Sequence, residues 1–178
     1  MDYTTKRFEE LNKTAHERDS FDCGQAELNT FLKTQALKHM KAGISRTMVL
    51  PATTTLNQKQ PIYSFYTIAG SSIRRETLPD SQAKKLPRYP IPVFLLAQLA
   101  VHQDLQSHGL GKITLTKALE HLLEVNTHMP AYAIVVDSLH NEIIGFYEKF
   151  GFERLYEHSN GHIRLFLPMK TIANIFSQ

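Results

Sequence analysis

The sequence predicts a mixed α/β fold in which helices cover both faces of one central β-sheet. Segments rich in β-branched and aromatic residues alternate with segments whose apolar residues recur at helical spacing. The nearly continuous apolar run Val93–Val101 indicates a central strand, and a polar loop and an amphipathic helix follow it. A chain of 178 residues is of ordinary domain size, so we expect one domain over residues 1–178.

The first part of the chain is predicted to combine a strand with one long helix. Thr4–Phe8 can form the first strand, and a polar loop runs through His16–Asp19. Apolar residues within Gln25–Lys41 recur at helical spacing, which predicts a helix, and Gly43 is suited to end it.

The middle of the chain is predicted to be a hairpin followed by an irregular loop. Thr47–Leu50 and Ile62–Ile73 are rich in strand-forming residues, and the polar segment between them forms the hairpin loop. Arg74–Pro92 contains four prolines, which exclude regular structure over most of it and leave room for a short helix near Ser81–Lys85. Long loops in compact domains are often functional.

The last part continues the alternation of helix and strand. We predict, in order, a helix over Gly109–Val125, a strand over Tyr132–Val136, a helix over Leu139–Phe150, an antiparallel pair Arg154–Tyr156 and Ile163–Leu167 around the turn Asn160-Gly161, and a tail helix over Ile172–Phe176.

The composition and the start of the chain favour a cytoplasmic protein without a metal site. The start of the chain lacks the order of a signal peptide, and no run approaches the ~18 apolar residues of a membrane span. The single Cys23 cannot form an internal disulfide, which agrees with a reducing compartment. Nine histidines invite a metal hypothesis, but His158 and His162 flank a turn and lack partners, so we expect no metal site.

The glycine loop Gln106–Gly111 is the most informative motif. It lies between a strand and a helix, where free amides and the positive end of the helix dipole attract a pyrophosphate. A Walker loop needs a different spacing and a hydroxyl after the lysine, whereas Ile113 follows Lys112 here. A dinucleotide fingerprint needs three glycines and an acidic residue about 20 positions on, whereas Gln106 replaces a glycine here and the following strand, near Val135, is too distant to supply that acidic residue.

The remaining pattern, Gln-x-x-Gly-x-Gly, resembles the acyl-CoA signature of the GNAT acetyltransferase superfamily. Phe146–Phe152 resembles the late helix-to-strand signature of that superfamily. Three further segments are similar to one branch of the superfamily, the GNAT toxins of bacterial type II toxin–antitoxin pairs. They are Phe21–Gly24, Leu28–Leu32 and Arg88–Pro92. These matches occur in order over most of the chain, and they imply a GNAT-like fold with a mostly antiparallel mixed sheet of about six or seven strands.

The resemblance also implies the cofactor and its contacts. Acetyl-CoA is the expected acetyl donor, with its pyrophosphate held mainly by backbone amides and its pantetheine paired to the end of the central strand. The residues implied as cofactor-binding are Leu99, Val101, Gln106, Ser107, His108, Gly109, Leu110, Gly111 and Lys112. Gln106 replaces the more common Arg, so Lys112 or His108 could supply the missing positive charge.

Tyr147 resembles the tyrosine that GNAT enzymes place beside the thioester sulfur. A tyrosine is protonated at neutral pH and can donate to a departing thiolate, which makes Tyr147 the expected general acid. The alternative is a core tyrosine that pairs with Phe146 and Phe150. No general base is evident: Glu142, Glu148, Asp137 and His102 are candidates, but each is more simply a surface or loop residue.

The resemblance to the toxins implies that the acceptor is the amino group of an aminoacyl-tRNA. Cations in the middle loop could contact its phosphates, and they are Arg74, Arg75, Lys84, Lys85 and Arg88. The alternatives are an acetyltransferase for a protein, peptide or small amine, and a non-catalytic acyl-CoA-binding module. The toxin branch further implies a ribbon–helix–helix antitoxin as partner, and a homodimer is compatible with it.

Overall fold

A computed structural model describes residues 7–138 and 140–177 of the chain. The strands are β1 (Glu9–Glu10), β2 (His16–Glu17), β3 (Arg46–Pro51), β4 (Gln60–Ile73), β5 (Ile91–Val101), β6 (Ala133–Ser138), β7 (Glu153–Glu157) and β8 (Ile163–Pro168). The helices are α1 (Ala26–Thr30), α2 (Ala36–Lys41), α3 (Asp80–Ala83), α4 (Leu110–His128), α5 (Asn141–Glu148) and α6 (Met169–Phe176).

The strands form one mixed, mostly antiparallel sheet, which confirms the predicted fold class. Their order is β1-β3-β4-β5-β6-β8-β7, and β2 pairs with β4 beside this series. The β3–β4, β6–β8 and β7–β8 pairs are antiparallel, whereas β5 and β6 run parallel, with Phe94 opposite Ile134. The sheet has eight strands rather than six or seven because β1 and β2, of two residues each, are too short to leave a pattern in the sequence.

The chain divides into two compact units. The first comprises Met1–Ala69 and Ala97–Leu119, and the second comprises Gly70–Leu96 and Glu120–Gln178. That residues 1–178 act as one domain stays a prediction.

The core of the first unit is built around aromatic rings. The Phe21 and Phe65 rings meet edge to face with centroids 5.4 Å apart, and both side chains are fully buried. Burial of one such side chain contributes about 1.5–3 kcal/mol to stability. Between α1 and α2, a π-helical turn at Phe31–Gln35 buries Phe31 and Leu32 in this core.

The core of the second unit lies on one face of the neighbouring strands β5, β6 and β8. Ile91 and Val93 of β5 pack with Ala133 and Val135 of β6 and with Phe166 of β8. These side chains alternate along their strands, as residues that share one face of a sheet do. Leu78 and Leu86 of the middle loop pack against the same cluster, so the proline-rich segment is anchored to the sheet.

One prediction at the element level is wrong, the polar loop at His16, and two predicted elements begin at residues that the structure does not describe. Residues 4–6 of the predicted first strand lie outside the described residues, and the strand is found at Glu9–Glu10. His16, expected in a polar loop, is buried in β2, since Asn12 N–H donates to its Nδ1 at 2.9 Å and Glu9 bonds its Nε2 at 2.7 Å. Leu139, predicted to begin a helix, also lies outside the described residues, and that helix is Asn141–Glu148.

The other predicted elements are present with small shifts of their ends. The short helix of the middle loop is Asp80–Ala83, and the helix after the glycine loop extends to His128. Among the described residues, no helix combines the length and apolar character needed to span a membrane.

Candidate active site

The glycine loop leads from the end of β5 to the start of α4 through left-handed backbone. Ser107 has φ of 64° and Gly109 has φ of 83°, and the helix begins at Leu110. A Cβ placed on Gly109 would meet no atom within 4 Å, so this glycine faces open space. One placed on Gly111 would lie 3.9 Å from Cγ2 of Val101, which is ordinary contact.

The loop presents a row of free backbone amides. The N–H groups of Lys112 and Ile113 both donate to the carbonyl of Gly109, at 3.1 and 3.2 Å. Within the described part of the chain, the five amides from Ser107 to Gly111 have no hydrogen-bond acceptor. Consecutive free amides at a helix N-terminus are the arrangement that binds a phosphate group.

Gln106 supports this loop through side-chain hydrogen bonds to two main-chain carbonyls. Its side-chain Nε2 donates to the carbonyls of Cys23 and Val101, both at 2.9 Å. These bonds use both amide hydrogens of the side chain, so its contribution to a bound anion is through the shape of the loop. The family pattern commonly has an arginine here, whose charge would contact the anion directly. Gln106 instead uses its side-chain donors on the protein's own carbonyls.

A small network holds the Cys23 carbonyl in place. Asp22 Oδ1 accepts hydrogen bonds from the Gly24 amide and from Nδ2 of Asn29, each at 2.8 Å. Asn29 Oδ1 accepts from the Cys23 amide at 2.9 Å. Sequence reasoning noted both segments as family motifs but missed this role for Asp22 and Asn29. The available signal was an Asp two residues before a glycine, because such a carboxylate commonly accepts a hydrogen bond from the backbone two residues on.

The other residues implied as cofactor-binding lie around the loop. Leu99 is half-buried near the end of β5, and Val101 is buried there. His108 Nδ1 lies 2.6 Å from the carbonyl of Gln106, so its ring is bonded back to the loop. Lys112 lies in the first turn of α4, next to the free amides, and is the side chain placed to add a positive charge. Their contacts with a cofactor stay predictions.

Tyr147 is buried on α5 among aromatic rings. Its ring packs against Phe146 and Phe152, with centroids 5.4 and 5.3 Å apart. Burial raises the pKa of Tyr147 well above its ordinary value, so the hydroxyl carries its proton throughout the physiological range. No hydrogen bond from elsewhere in residues 7–138 and 140–177 reaches that hydroxyl. Core packing accounts for the position of the ring, whereas no partner among the described residues accounts for the hydroxyl.

Three of the four candidate bases are engaged elsewhere. Glu148 bonds Nε of Arg154 at 2.7 Å, and Nδ1 of His102 accepts from the amide of Asp104 at 3.3 Å. Burial alone would raise the pKa of Asp137, but the bidentate pair with Arg164 and the bond to His158 outweigh it. The pKa of Asp137 therefore lies below its usual value, which makes the carboxylate a weak base.

The cations of the middle loop differ in exposure. Arg74 is 84% exposed, whereas Arg75 is 22% exposed and donates from Nη1 to the Leu86 carbonyl at 3.0 Å. Arg75 therefore closes the loop on itself, and its guanidinium is less available to a ligand. The remaining three predicted cations are exposed, namely Lys84, Lys85 and Arg88.

The described residues offer no metal cluster and no reactive thiol. No group of three or more His, Cys, Asp or Glu side chains among them is placed to hold a metal ion. His158 and His162 are joined through their backbones, the amide of His158 donating to the carbonyl of His162 at 2.8 Å. Cys23 is buried, and burial raises the pKa of its thiol.

Comparison with known proteins identifies the family. An acetyltransferase (GNAT) domain model matches residues 75–154. A tRNA-acetylating toxin from Mycobacterium tuberculosis is 32% identical over 134 residues, covering 75% of this chain and 76% of the toxin.

Two solved structures share the fold over nearly the whole chain. The toxin AtaT in complex with acetyl-methionyl-tRNAfMet has a TM-score of 0.84 and 28% identity, covering 96% of this chain and 98% of AtaT. A Tyr-to-Phe mutant of AtaT bound to acetyl-CoA and the C-terminus of its antitoxin AtaR has a TM-score of 0.79 and 25% identity, covering 97% and 98%. This chain belongs to the GNAT acetyltransferases, in the branch that contains the tRNA-acetylating toxins.

Proposed function

We propose that this protein is an acetyl-CoA-dependent N-acetyltransferase whose acceptor is the amino group of an aminoacyl-tRNA, and that it blocks translation as a toxin. The observation that carries the proposal is the row of five free amides from Ser107 to Gly111 at the start of α4. Such a row binds the pyrophosphate of a nucleotide-based acyl carrier. The AtaT complexes with acetyl-CoA and with an acetylated aminoacyl-tRNA support the same pair of substrates for this chain.

The residues of this chain then divide the work of the transfer. The loop amides, held by Gln106, bind the pyrophosphate, and the backbone of Leu99 and Val101 aligns the pantetheine. The acceptor nitrogen attacks the thioester carbonyl, and the C–S bond breaks. Tyr147 gives its proton to the departing sulfur, and the attacking nitrogen loses one to solvent, so Tyr147 is finally reprotonated from solvent.

The engagement of the candidate bases supports an aminoacyl acceptor. A lysine amine is almost fully protonated at neutral pH, so its acetylation requires a strong base beside it. The amine of an aminoacyl ester is less basic, because the neighbouring ester withdraws electrons, and it deprotonates readily. Three of the four candidate bases, Glu148, Asp137 and His102, are bonded to other groups, and the fourth, Glu142, is an exposed residue in the first turn of α5. An acceptor that needs little help to deprotonate agrees with this set.

The toxin assignment includes a protein partner. Because AtaT has been solved with the C-terminus of its antitoxin, we propose that an antitoxin neutralises this chain as well, and that it is of the ribbon–helix–helix type. We further propose that the protein acts in the cytoplasm as one domain over residues 1–178, and that a homodimer is its assembled form.

The decisive experiment is incubation with labelled acetyl-CoA and total charged tRNA. We expect label on the aminoacyl group, released by mild alkaline hydrolysis as an N-acetylamino acid. Uncharged tRNA, free amino acids and polyamines serve as controls in the same assay. If label appeared only on a small amine or on protein, the acceptor would be that amine and not aminoacyl-tRNA. If coenzyme A bound but no acetylated product formed, the protein would be a binding module and not an enzyme.

A further inference from the structure

The middle loop of the second unit is held in a defined shape by contacts within that unit. Arg75 donates to the Leu86 carbonyl, and the hydroxyl of Tyr132 donates to Oε1 of Gln82. Leu78 is 4% exposed and packs with Leu86 against the β5–β6 core. The segment after Leu86 is thereby presented from a fixed base, and Pro87 and Pro90 restrict its own backbone.

One large aromatic side chain projects from this fixed base. Tyr89 is 65% exposed, the highest value among the exposed large hydrophobic residues of the described chain. An aromatic ring left in water gains nothing for the fold, because its apolar faces stay hydrated. Its position between two prolines, on a loop that is anchored to the core and carries exposed cations on either side of Leu86, favours a role in binding.

The charges around Tyr89 show what kind of ligand the ring would meet. Lys84, Lys85 and Arg88 are exposed, and none of them forms an ion pair within the described residues. The carboxylate of Glu76 lies 4.0 Å from Nε of Arg74 and 3.9 Å from Nε of Arg75, and it forms no ion pair with these three cations. Unpaired cations beside an exposed aromatic ring match nucleic acid, whose phosphates take the charges and whose bases take the ring.

The ring also separates single-stranded from double-stranded ligands. In a duplex the base faces are stacked on one another, so an aromatic side chain outside the grooves finds no face to cover. Unpaired nucleotides offer free base faces, and stacking on them tolerates any base. In a charged tRNA the aminoacyl group is carried by an unpaired 3′ end.

We propose that Tyr89 is a stacking residue for an unpaired base of the tRNA substrate, with Lys84, Lys85 and Arg88 holding the neighbouring phosphates. The proposal rests on the proposed function and adds to it a contact that recognises single-stranded nucleotides. It assigns the ring and the cations different parts: the cations give salt-dependent attraction, and the ring gives a contact that salt does not weaken.

The test measures tRNA binding by fluorescence anisotropy for Tyr89→Ala and Tyr89→Phe. We expect Tyr89→Ala to raise Kd for intact tRNA by roughly 5- to 150-fold, which is the range for loss of one base–aromatic stack. Tyr89→Phe keeps the ring and should bind as the natural protein does. Met129→Ala, at a residue 60% exposed in the same unit, is the matched control and should change nothing.

Two further comparisons make the assignment specific. The slope of log Kd against log salt should stay the same in Tyr89→Ala and fall by roughly one in Lys85→Ala. Transfer RNA trimmed of its unpaired 3′ nucleotides should bind Tyr89→Ala and the natural protein equally. Unchanged affinity of Tyr89→Ala for intact tRNA, or an equal loss with trimmed tRNA, would overturn the proposal.

The outcome is distinguishable from failure of the proposed function. If the natural protein acetylates charged tRNA and Tyr89→Ala does so with an unchanged KM, the stacking role alone is wrong. If no charged tRNA is acetylated while Tyr89→Ala still loses affinity for intact tRNA, the acceptor assignment is wrong and the binding surface stands. Thermal unfolding of each variant confirms that the fold is intact, as expected for so exposed a side chain.

Discussion

The side-chain amide of Gln106 donates a hydrogen bond of 2.9 Å to the main-chain carbonyl of Cys23, 83 positions earlier in the chain. The same nitrogen donates to the carbonyl of Val101, where β5 ends. One side chain thus joins the glycine loop to the strand before it and to the turn that precedes α1. The conformation of the loop depends on this side chain, although the loop's own amides make the expected contacts with phosphate.

Replacing Gln106 should therefore weaken cofactor binding through the loop. In Gln106→Glu a carboxylate faces two carbonyl oxygens and donates to neither, and it adds negative charge beside a pyrophosphate. Loss of such hydrogen bonds costs about 1–3 kcal/mol, so we expect coenzyme A affinity to fall roughly 5- to 150-fold by calorimetry. Gln103→Glu brings the same charge to an exposed position three residues away and should have a much smaller effect. Equal coenzyme A affinities for the two variants would contradict the role of the Gln106 hydrogen bonds in shaping the loop.

The two glycines of the loop should respond differently to alanine. Gly109 has φ of 83°, where an alanine costs about 1–2 kcal/mol, so Gly109→Ala should lower stability and, in a chain of this size, Tm by roughly 2–8 °C. A Cβ on Gly111 makes only ordinary contact with Val101, so Gly111→Ala should keep its Tm. Both variants should bind coenzyme A more weakly, because either methyl group lies near the free amides. A normal Tm for Gly109→Ala would count against backbone strain at that position.

The sequence was sufficient for the sheet and for the location of the phosphate loop, because both leave local patterns. The apolar run of β5, the glycines and the helical spacing of α4 are all readable without partners in space. The hydrogen bond from Gln106 to the Cys23 carbonyl leaves no such pattern, since it joins positions far apart in the chain. His16 was misjudged for a different reason: a histidine in a polar segment is expected in solvent, and no pattern in that segment shows that it pairs with Glu9, seven positions earlier.

Partial burial of Arg75 could not be predicted either. Its neighbour Arg74 is of the same residue type and is 84% exposed, and only the path of the loop separates the two. The π-helical turn at Phe31–Gln35 likewise has no sequence signature, because one residue inserted in a helix shifts the buried face without changing composition.

Tyr147→Phe should separate chemistry from binding. The variant keeps the ring that packs against Phe146 and Phe152 and removes only the hydroxyl, which has no hydrogen-bond partner within the described residues. We expect kcat to fall about 10²- to 10⁴-fold, the usual contribution of a general acid, with unchanged coenzyme A affinity and unchanged Tm. Expression of the variant should also relieve any growth arrest caused by the natural protein. If Tyr147→Phe turned over as fast as the natural protein, Tyr147 would not be the general acid. Tyr156→Phe, on β7, is the control and should keep full turnover.

The Asp137 cluster should give the fold a measurable sensitivity to acid. Arg164 and His158 hold the pKa of Asp137 below its ordinary value, despite a burial effect in the opposite direction. A carboxylate whose pKa is lowered by folding stabilises the native state above its unfolded pKa of about 4, and that contribution is lost as pH falls through the folded value. Between pH 7 and pH 3, Asp137→Asn should therefore lose less stability than the natural protein, while being less stable than it at pH 7. Denaturant unfolding at a series of pH values measures both effects.

Glu148→Gln removes the exposed partner of Arg154 and should leave the acid limb of the profile nearly unchanged. If the profiles of Asp137→Asn and the natural protein ran parallel down to pH 3, the low pKa of Asp137 would be refuted.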